Sequence, residues 1–454
     1  MHYHLILAAL AALGTASPAV QPIDINAILA ATAPSLTGPP ALATGQTGVY
    51  NAAAASSIAS AAVTGVASAS ATQSVVARDV LERRGFCILW FCVGTQTSST
   101  STSKSSTKAV SSTSCSSTTS ATVTATTTPV AVTTSAATIT TAPSTCTPVS
   151  WTNTFAFTTA TGCAQPFEVG TYCGFINPED PCAVQPDGYG THVEPDTSAA
   201  FKAFSSFHQA ALNAKTPSGY ASTFKDLNAS VSANSYLGMH TLQSYDVAQC
   251  ASYCDSTSLC TGINIYIERD PSINPSSCSC QNPASITNYK CTLWGSGVEK
   301  AAANNFGGWR DAFEVVIAGS NGYEKTNTTT PATPSGWKNP QNCSSVIHNH
   351  PSTCMGQVFF PGPFDINVCA TYAASQNALN SKSLGLFSWA SWFGYSPLKC
   401  NFFNAFMIKE NGVAKGTYCS LFTQQYAPSA ASYKPDFSSG AFWGVESSWS
   451  FCSS

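Results

Sequence analysis

Two short stretches, CTGINIY at Cys260–Tyr266 and CNFFNAF at Cys400–Phe406, share a cysteine, three residues, an asparagine, one residue and an aromatic ring. A thiol beside a polar partner is one way to build a catalytic constellation. Paired carboxylates are another, because two acids at suitable separation suffice for glycoside hydrolysis, and Glu268, Asp270, Asp311 and Glu314 are the candidates. His348-Asn349-His350 places two imidazoles at i and i+2, half of a metal site on a strand. Each has a plainer reading. Cysteines at repeated positions read as bridges, and the H-x-H beside Pro351 reads as a polar loop. IYIERD reads as a strand end whose Glu268, Arg269 and Asp270 form surface ion pairs. Trp309, Phe313, Val315 and Ile317 read as the buried residues of another strand. The chain has no G-x-S-x-G elbow, HExxH, P-loop or dinucleotide-binding glycine pattern. No catalytic residue, cofactor or metal is assigned.

The elements that would position these residues occupy only part of the 454-residue chain. Charged residues make up 9% and the net charge is -3, which offers no basic field for nucleic acid. All 19 cysteines lie beyond residue 86, without CxxC pairs or a zinc pattern, so they point to disulfides and an oxidising compartment. The apolar run Leu5–Leu13 followed by Gly14, Thr15 and Ala16 reads as a signal peptide, 1–16, cut after Ala16. It is too short to span a bilayer, and no later stretch reads as a membrane span or lipid-anchor tail. The expected location is extracellular or cell-wall associated.

Residues 17–84 are Ala-, Ser- and Thr-rich and end in the dibasic pair Arg83-Arg84, resembling a largely disordered pro-segment cut by a kexin-type protease. Residues 85–94, GFCILWFCVG, are apolar and bracketed by Cys87 and Cys92. Residues 95–145 read as an O-glycosylated Ser/Thr stalk, in which Cys115 is the leftover thiol able to form a disulfide with a partner. In the extension 146–244, the segment 165–190 reads as loops tied by Cys173 and Cys182. A helix from Phe201 would turn Phe204, Phe207 and Leu212 inward. Sequons at Asn228, Asn327 and Asn342 are candidate glycan sites. A Thr/Pro-rich linker, 325–340, separates the stretches 245–324 and 341–454.

Those two stretches repeat a pattern. Asp246 heads a helix with Val247, Cys250, Ala251 and Cys254 on one face, and Asp365 heads another with Ile366, Cys369, Ala370 and Ala373 at the same offsets. CTGINIY and CNFFNAF follow as strands by period-two alternation. Cys291-Thr-Leu-Trp294 and Cys419-Ser-Leu-Phe422 close the two copies. Bridges Cys250–Cys291 and Cys369–Cys419 would staple each helix to its sheet, and Cys254–Cys260 would fasten the first helix end. Ala373 stands where a second such bridge needs a cysteine. Cys400 is therefore left to another partner, with Cys452 as the candidate.

The acid-headed helix with C-x3-C, the C-x3-N-x-aromatic strand and the closing C-x-L-aromatic resemble the PAN/Apple module, as found in a group of secreted fungal proteins. The resemblance runs over about residues 160–452 and is weaker in the second copy, which lacks the inner cysteine. It implies an α+β fold, a small antiparallel sheet crossed by one helix in each copy, and binding of protein or carbohydrate. Three functions follow as expectations. The first is a secreted binding protein engaging extracellular glycan or protein through exposed aromatics such as Tyr266, Trp294 or Trp392. The second is a structural or adhesive wall protein, and the third a glycan-active hydrolase without a readable motif.

Overall fold

A computed structural model describes residues 22–39, 45–63, 86–88, 91–93, 182, 185, 188–277, 280–326, 330–385 and 397–454. The expectations at Ala16, Arg83, Arg84, Cys115, Cys173, Asn327 and Trp392, and for the stalk 95–145, lie outside these residues. One compact unit joins residues 1–83 with 146–454, and a second spans 84–145. The described part of the second unit is a hairpin. Its two strands, Phe86–Ile88 and Phe91–Val93, pair antiparallel with Cys87 opposite Cys92.

The first unit is α+β. In chain order it contains α1 (Ile25–Ala30), β1 (Gly45–Thr47), α2 (Ala52–Ala61), α3 (Ser198–Lys202), α4 (Ser205–Asn213), β2 (Tyr220–Leu227), β3 (Ser230–Val231) and β4 (Tyr236–Leu242). The first repeat continues with α5 (Val247–Ser256), β5 (Gly262–Pro271), β6 (Ser285–Trp294), β7 (Ala303–Asn305), β8 (Gly308–Arg310) and β9 (Phe313–Lys325). The second contains β10 (Trp337–Asn342), β11 (Cys354–Pro361), α6 (Ile366–Gly385), β12 (Phe402–Glu410), β13 (Val413–Phe422), β14 (Phe437–Ser438) and β15 (Ala441–Ser453).

The two repeats share one topology. In the first sheet the central order is β2-β9-β5-β6-β4, and in the second it is β10-β15-β12-β13-β11; every pairing is antiparallel. One helix sits between the second and third strands of each copy in the chain. A short strand pairs with the start of each long last strand, β8 on β9 and β14 on β15. The domain boundaries expected from composition therefore move. Strands β2 and β4 bring residues 220–242 into the first repeat, and β10 begins the second at Trp337, inside the expected linker. Neither β2 nor β10 alternates cleanly in hydrophobicity, because each lies at a sheet margin and buries few side chains.

The helices form where the caps and apolar spacing direct them. The Gln249 N–H donates to the Asp246 carboxylate, and Val247, Cys250, Ala251 and Cys254 are the buried residues of α5. On α6, Ile366, Cys369, Ala370 and Ala373 are buried in the same way. Cys250–Cys291, Cys254–Cys260 and Cys369–Cys419 are bonded, so each helix is clasped to the third or fourth strand of its sheet. A fourth bridge, Cys182–Cys280, ties the extension to the β5–β6 loop. Cys400 and Cys452 are both buried and do not bond to each other. Two expectations for the extension change. The helix from Phe201 is two helices broken at Ala203–Phe204, where Phe204 takes an extended N-cap conformation, and the re-phasing leaves Leu212 55% exposed.

The asparagines of the opening stretches do the same work in both copies. Asn264 accepts from the Val231 N–H and donates to Ser320 Oγ and the Asn321 carbonyl. Asn404 accepts from the Ile347 N–H and donates to Ser448 Oγ and the Trp449 carbonyl. Each pins a bulge in the last strand, at Gly319 (φ 58°) and at Ser447 (φ 52°). The same number of residues separates Cys291 from Cys419, Gly319 from Ser447 and Trp309 from Phe437. A left-handed conformation costs a side-chain-bearing residue about 1–2 kcal/mol, which glycine avoids.

The Ala/Ser/Thr-rich N-terminus departs most from expectation, since residues 22–39 and 45–63 are folded onto both repeats. Ile23, Ile28, Ala59, Ala62 and Val63 are buried, and β1 pairs with β4 at the edge of the first sheet. Few apolar residues suffice because the receiving surfaces are already built by the repeats.

Two outcomes test the repeat. Ser447→Gly should raise stability by up to about 1 kcal/mol while Gly319→Ala lowers it by at least as much, because its Cβ would sit 3.0 Å from the Phe207 carbonyl oxygen; urea unfolding measures both. Ala373→Cys should bond to Cys400, adding up to about 3 kcal/mol, and intact-mass analysis should show one thiol pair fewer than the cysteine count otherwise predicts.

Candidate functional site

The groups expected to do chemistry are mostly removed from solvent. Glu268 and Asp270, on β5, and Lys290, on β6, form a buried cluster: Lys290 Nζ lies 2.7 Å from Glu268 and 3.0 Å from Asp270, and Asn288 donates to Asp270. These are not surface ion pairs, because Glu268, Asp270 and Lys290 are all buried. Burial, reinforced by the Asp270 charge, pushes the Glu268 carboxyl up to about 8. Burial also opposes ionisation of Asp270, but the Lys290 ammonium and the hydrogen bonds from Glu268 and Asn288 outweigh it and hold that carboxyl low. The three side chains are tightly coupled and removed from solvent.

The remaining acids do not complete it. Glu268 lies opposite Ile317 on β9, and Glu314, an odd number of residues before Ile317, points to the other face of the sheet. The pair suggested for glycoside hydrolysis is therefore split. Asp311 is an exposed turn residue with φ 53°. His348 is buried with Nδ1 2.8 Å from Ser420 Oγ, while His350 stacks on Tyr426, so the two imidazoles have separate partners. Among the described residues no group of His, Cys, Asp and Glu is arranged to hold a metal ion. Burial pushes the Cys400 thiol up to about 12, which makes it a poor nucleophile.

Two of the three aromatics expected to bind are in the core. Tyr266 and Trp294 are both 0% exposed. Trp294 donates from Nε1 to Thr292 Oγ1 and packs in the seam between repeats, among Tyr236, Val298, Met407 and Ala414. In the first copy the C-x-L-aromatic motif therefore supplies a seam residue, while Phe422 of the second packs within its own repeat, with Cys343, Ile347 and Phe402.

The exposed aromatics lie elsewhere and recur. Trp309 on β8 is 68% exposed and Phe306, in the preceding turn, 69%. Gly307 (φ 91°) permits that turn, since a Cβ there would meet the Val315 carbonyl oxygen at 2.1 Å. In the second repeat Phe437 on β14 and Phe442 on β15 are 57% and 67% exposed, with ring centroids 5.0 Å apart. Trp309 faces Glu314, and Phe437 faces Phe442, at matched positions of matched hairpins. The turns also match, with Asp311 at φ 53° and Ser439 at φ 52°. Trp309 is thus not the buried strand residue that alternation suggested. Continuing the repeat past Cys291 and Cys419 at constant spacing is the signal that finds both hairpins.

Beside the second hairpin a cavity of about 300 Å³ is lined by Ser344, Ser345, Lys434, Glu446, Ser447 and Ser448. Lys434 and Pro435 lead into Phe437, and Gly444 follows Phe442 by two residues. Aromatic faces and polar groups are therefore contiguous along the chain. The sequon asparagines Asn228 and Asn342 are both exposed, Asn342 at the cavity's edge before Cys343.

The seam carries a cluster of like charge. Lys409 bridges Glu299 and Glu446, and Ser296 donates to Glu446 at 2.8 Å. Glu324, on β9, faces this group, with Lys409 on β12, Glu446 on β15 and Glu299 ahead of β7 as its charged neighbours. Burial and the Glu446 charge push it up to about 7, against Lys409 and the Val298 N–H. A carboxyl raised in the folded state loses stability as pH climbs from its ordinary value through the folded one. Glu324→Gln should therefore stabilise the protein on the order of 2 kcal/mol at pH 8 and little at pH 5, as read by thermal melts at both.

Compared with protein-family models, with curated proteins and with solved structures, the chain matches none of them.

Proposed function

We propose that the protein is a secreted, non-enzymatic binding protein that engages extracellular glycan through its two repeated aromatic hairpins. The observation that carries this reading is the recurrence of an exposed ring at one topological position, Trp309 and Phe437, each with a second exposed ring nearby in the chain or across the hairpin, Phe306 and Phe442. Large rings left in water on a sheet margin twice over are placed for contact with a partner. A sugar ring presents an apolar face that stacks on an aromatic and hydroxyls that need polar partners. Ser344, Ser447 and Lys434 offer such partners beside Phe437. The resemblance to PAN/Apple modules supports a binding role from an independent direction. Among the described residues, the four disulfides are compatible with secretion, as is the lack of a helix long and apolar enough to cross a membrane.

The reading is tested by retention of the full secreted chain on insoluble chitin and β-glucan. Loss of one stacking ring weakens binding about tenfold. Trp309→Ala and the double change Phe437→Ala with Phe442→Ala should each lower retention by about that factor while leaving the melting temperature unchanged, since all three side chains are exposed. Failure of the wild type to bind either polymer would overturn glycan binding; retention that survives both changes would move the site away from the hairpins.

A further inference from the structure

The N-terminal segment makes a set of contacts that a discarded leader does not need. Helix α1 is headed by Asp24, whose carboxylate accepts from the Ala27 N–H at 3.0 Å. Ile23 and Ile28 fill an apolar seat in the second repeat made by Val346, Phe359, Phe406, Tyr418 and Trp443. Two tyrosine hydroxyls receive the entering backbone: the Ile23 N–H donates to Tyr433 and the Asp24 N–H to Tyr418, each at 3.2 Å. The chain then crosses the seam. Leu36 packs on the seam cluster, and the Ala233 N–H donates to the Thr37 carbonyl at 2.9 Å.

From there it reaches the first repeat, where β1 adds an edge strand to β4 from Gly45 opposite His240 to Thr47 opposite Gly238. It then returns to the second. The Tyr50 hydroxyl donates to Asp365 at 3.0 Å, the residue that heads α6. Helix α2 lies along α6, with Ala59, Ala62 and Val63 buried in the same core as Tyr372, Ala373 and Cys419. The segment therefore touches second repeat, seam, first repeat and second repeat in turn. Every contact it makes is non-covalent, and each of its seats is built from residues far along the chain.

We infer that residues 22–39 and 45–63 form a separable strap: the two repeats together present an extended peptide-binding surface, and its partner is this segment, held whether or not the chain between strap and repeats is continuous. The surface fits a peptide of definite chemistry, an acid-capped short helix with isoleucines one residue before and four after the cap, an edge strand, and an alanine-rich helix. An apolar area spread over both repeats also fixes how they meet, since the strap crosses the seam twice. Hydrolysis of one peptide bond after residue 63, consuming one water, would leave a two-chain protein. The sequence places the dibasic pair Arg83-Arg84 in that position, so a cut there keeps the strap in place.

The test inserts a site-specific protease sequence into the full-length chain between residues 70 and 80, cuts the folded protein, and reads the product by gel filtration and native mass spectrometry. The expected product is one species whose mass is the uncut mass plus one water, separating into two chains only in denaturant. Added labelled peptide of residues 22–63 should exchange into the cut protein. Ile28→Asp, which puts a charge into the apolar seat, should weaken retention of the cut strap about a hundredfold. Because the wild type is cut after folding, a folding defect cannot imitate the result. Separation of the cut wild-type protein into two species in buffer would overturn the proposal, as would retention equal to wild type in the Ile28→Asp protein.

Discussion

The fold depends on one buried carboxamide in each repeat. Asn264 and Asn404 are fully buried, and each satisfies its oxygen with a backbone N–H from an earlier segment, Val231 on β3 or Ile347, and its nitrogen with a hydroxyl and a carbonyl of the last strand. A buried amide left short of these partners would cost several kcal/mol, so loop, third strand and last strand must arrive together. Its position is set in turn by the cysteine four residues earlier. In the first copy that cysteine is bonded to the helix; in the second, Cys400 is held by backbone contacts with Asn377 on α6. The bulge that each asparagine pins bends the last strand, and the bent strand's first half carries the aromatic hairpin.

This links the core to the surface. Because the bulge recurs, the hairpins recur, and exposed rings appear at matched places although the residues differ, tryptophan in one copy and phenylalanine in the other. The carboxylates that looked most like catalytic groups belong to the opposite logic. Glu268, Asp270 and Lys290 satisfy one another in a buried cluster of two acids and one base. The seam likewise holds more acid than base, with Glu299, Glu324 and Glu446 around Lys409. Both clusters hold elements in register, the first buried within its sheet and the second reaching the surface at Glu299 and Glu446.

Much of the repeat was legible in the chain. Apolar spacing found both helices, alternation found β5 and β12, and recurrence of cysteines found three bridges that are formed. Alternation stopped informing where a strand is covered on both faces. Every residue of β5 is buried, so its polar residues looked like surface when they are core. Tyr266 and Trp294 failed as binding candidates for the same reason. Whether a ring faces water depends on what lies over the sheet, and the cover is the β3–β7 ribbon in one case and the other repeat in the other.

By itself the sequence determined the local elements, the oxidised cysteine framework and the repeat, because caps, helical spacing and matched cysteines act over a few residues or recur in register. Only the tertiary structure decided that Ile23, Ile28 and Ala59 belong to the core, that Trp309 and Phe437 are the rings left in water, and that Glu268 and Asp270 are buried. The physical reason is one of distance. An alanine-rich segment cannot build a core of its own, yet it is ordered where distant strands have already assembled an apolar seat, and no local pattern in either partner records that match.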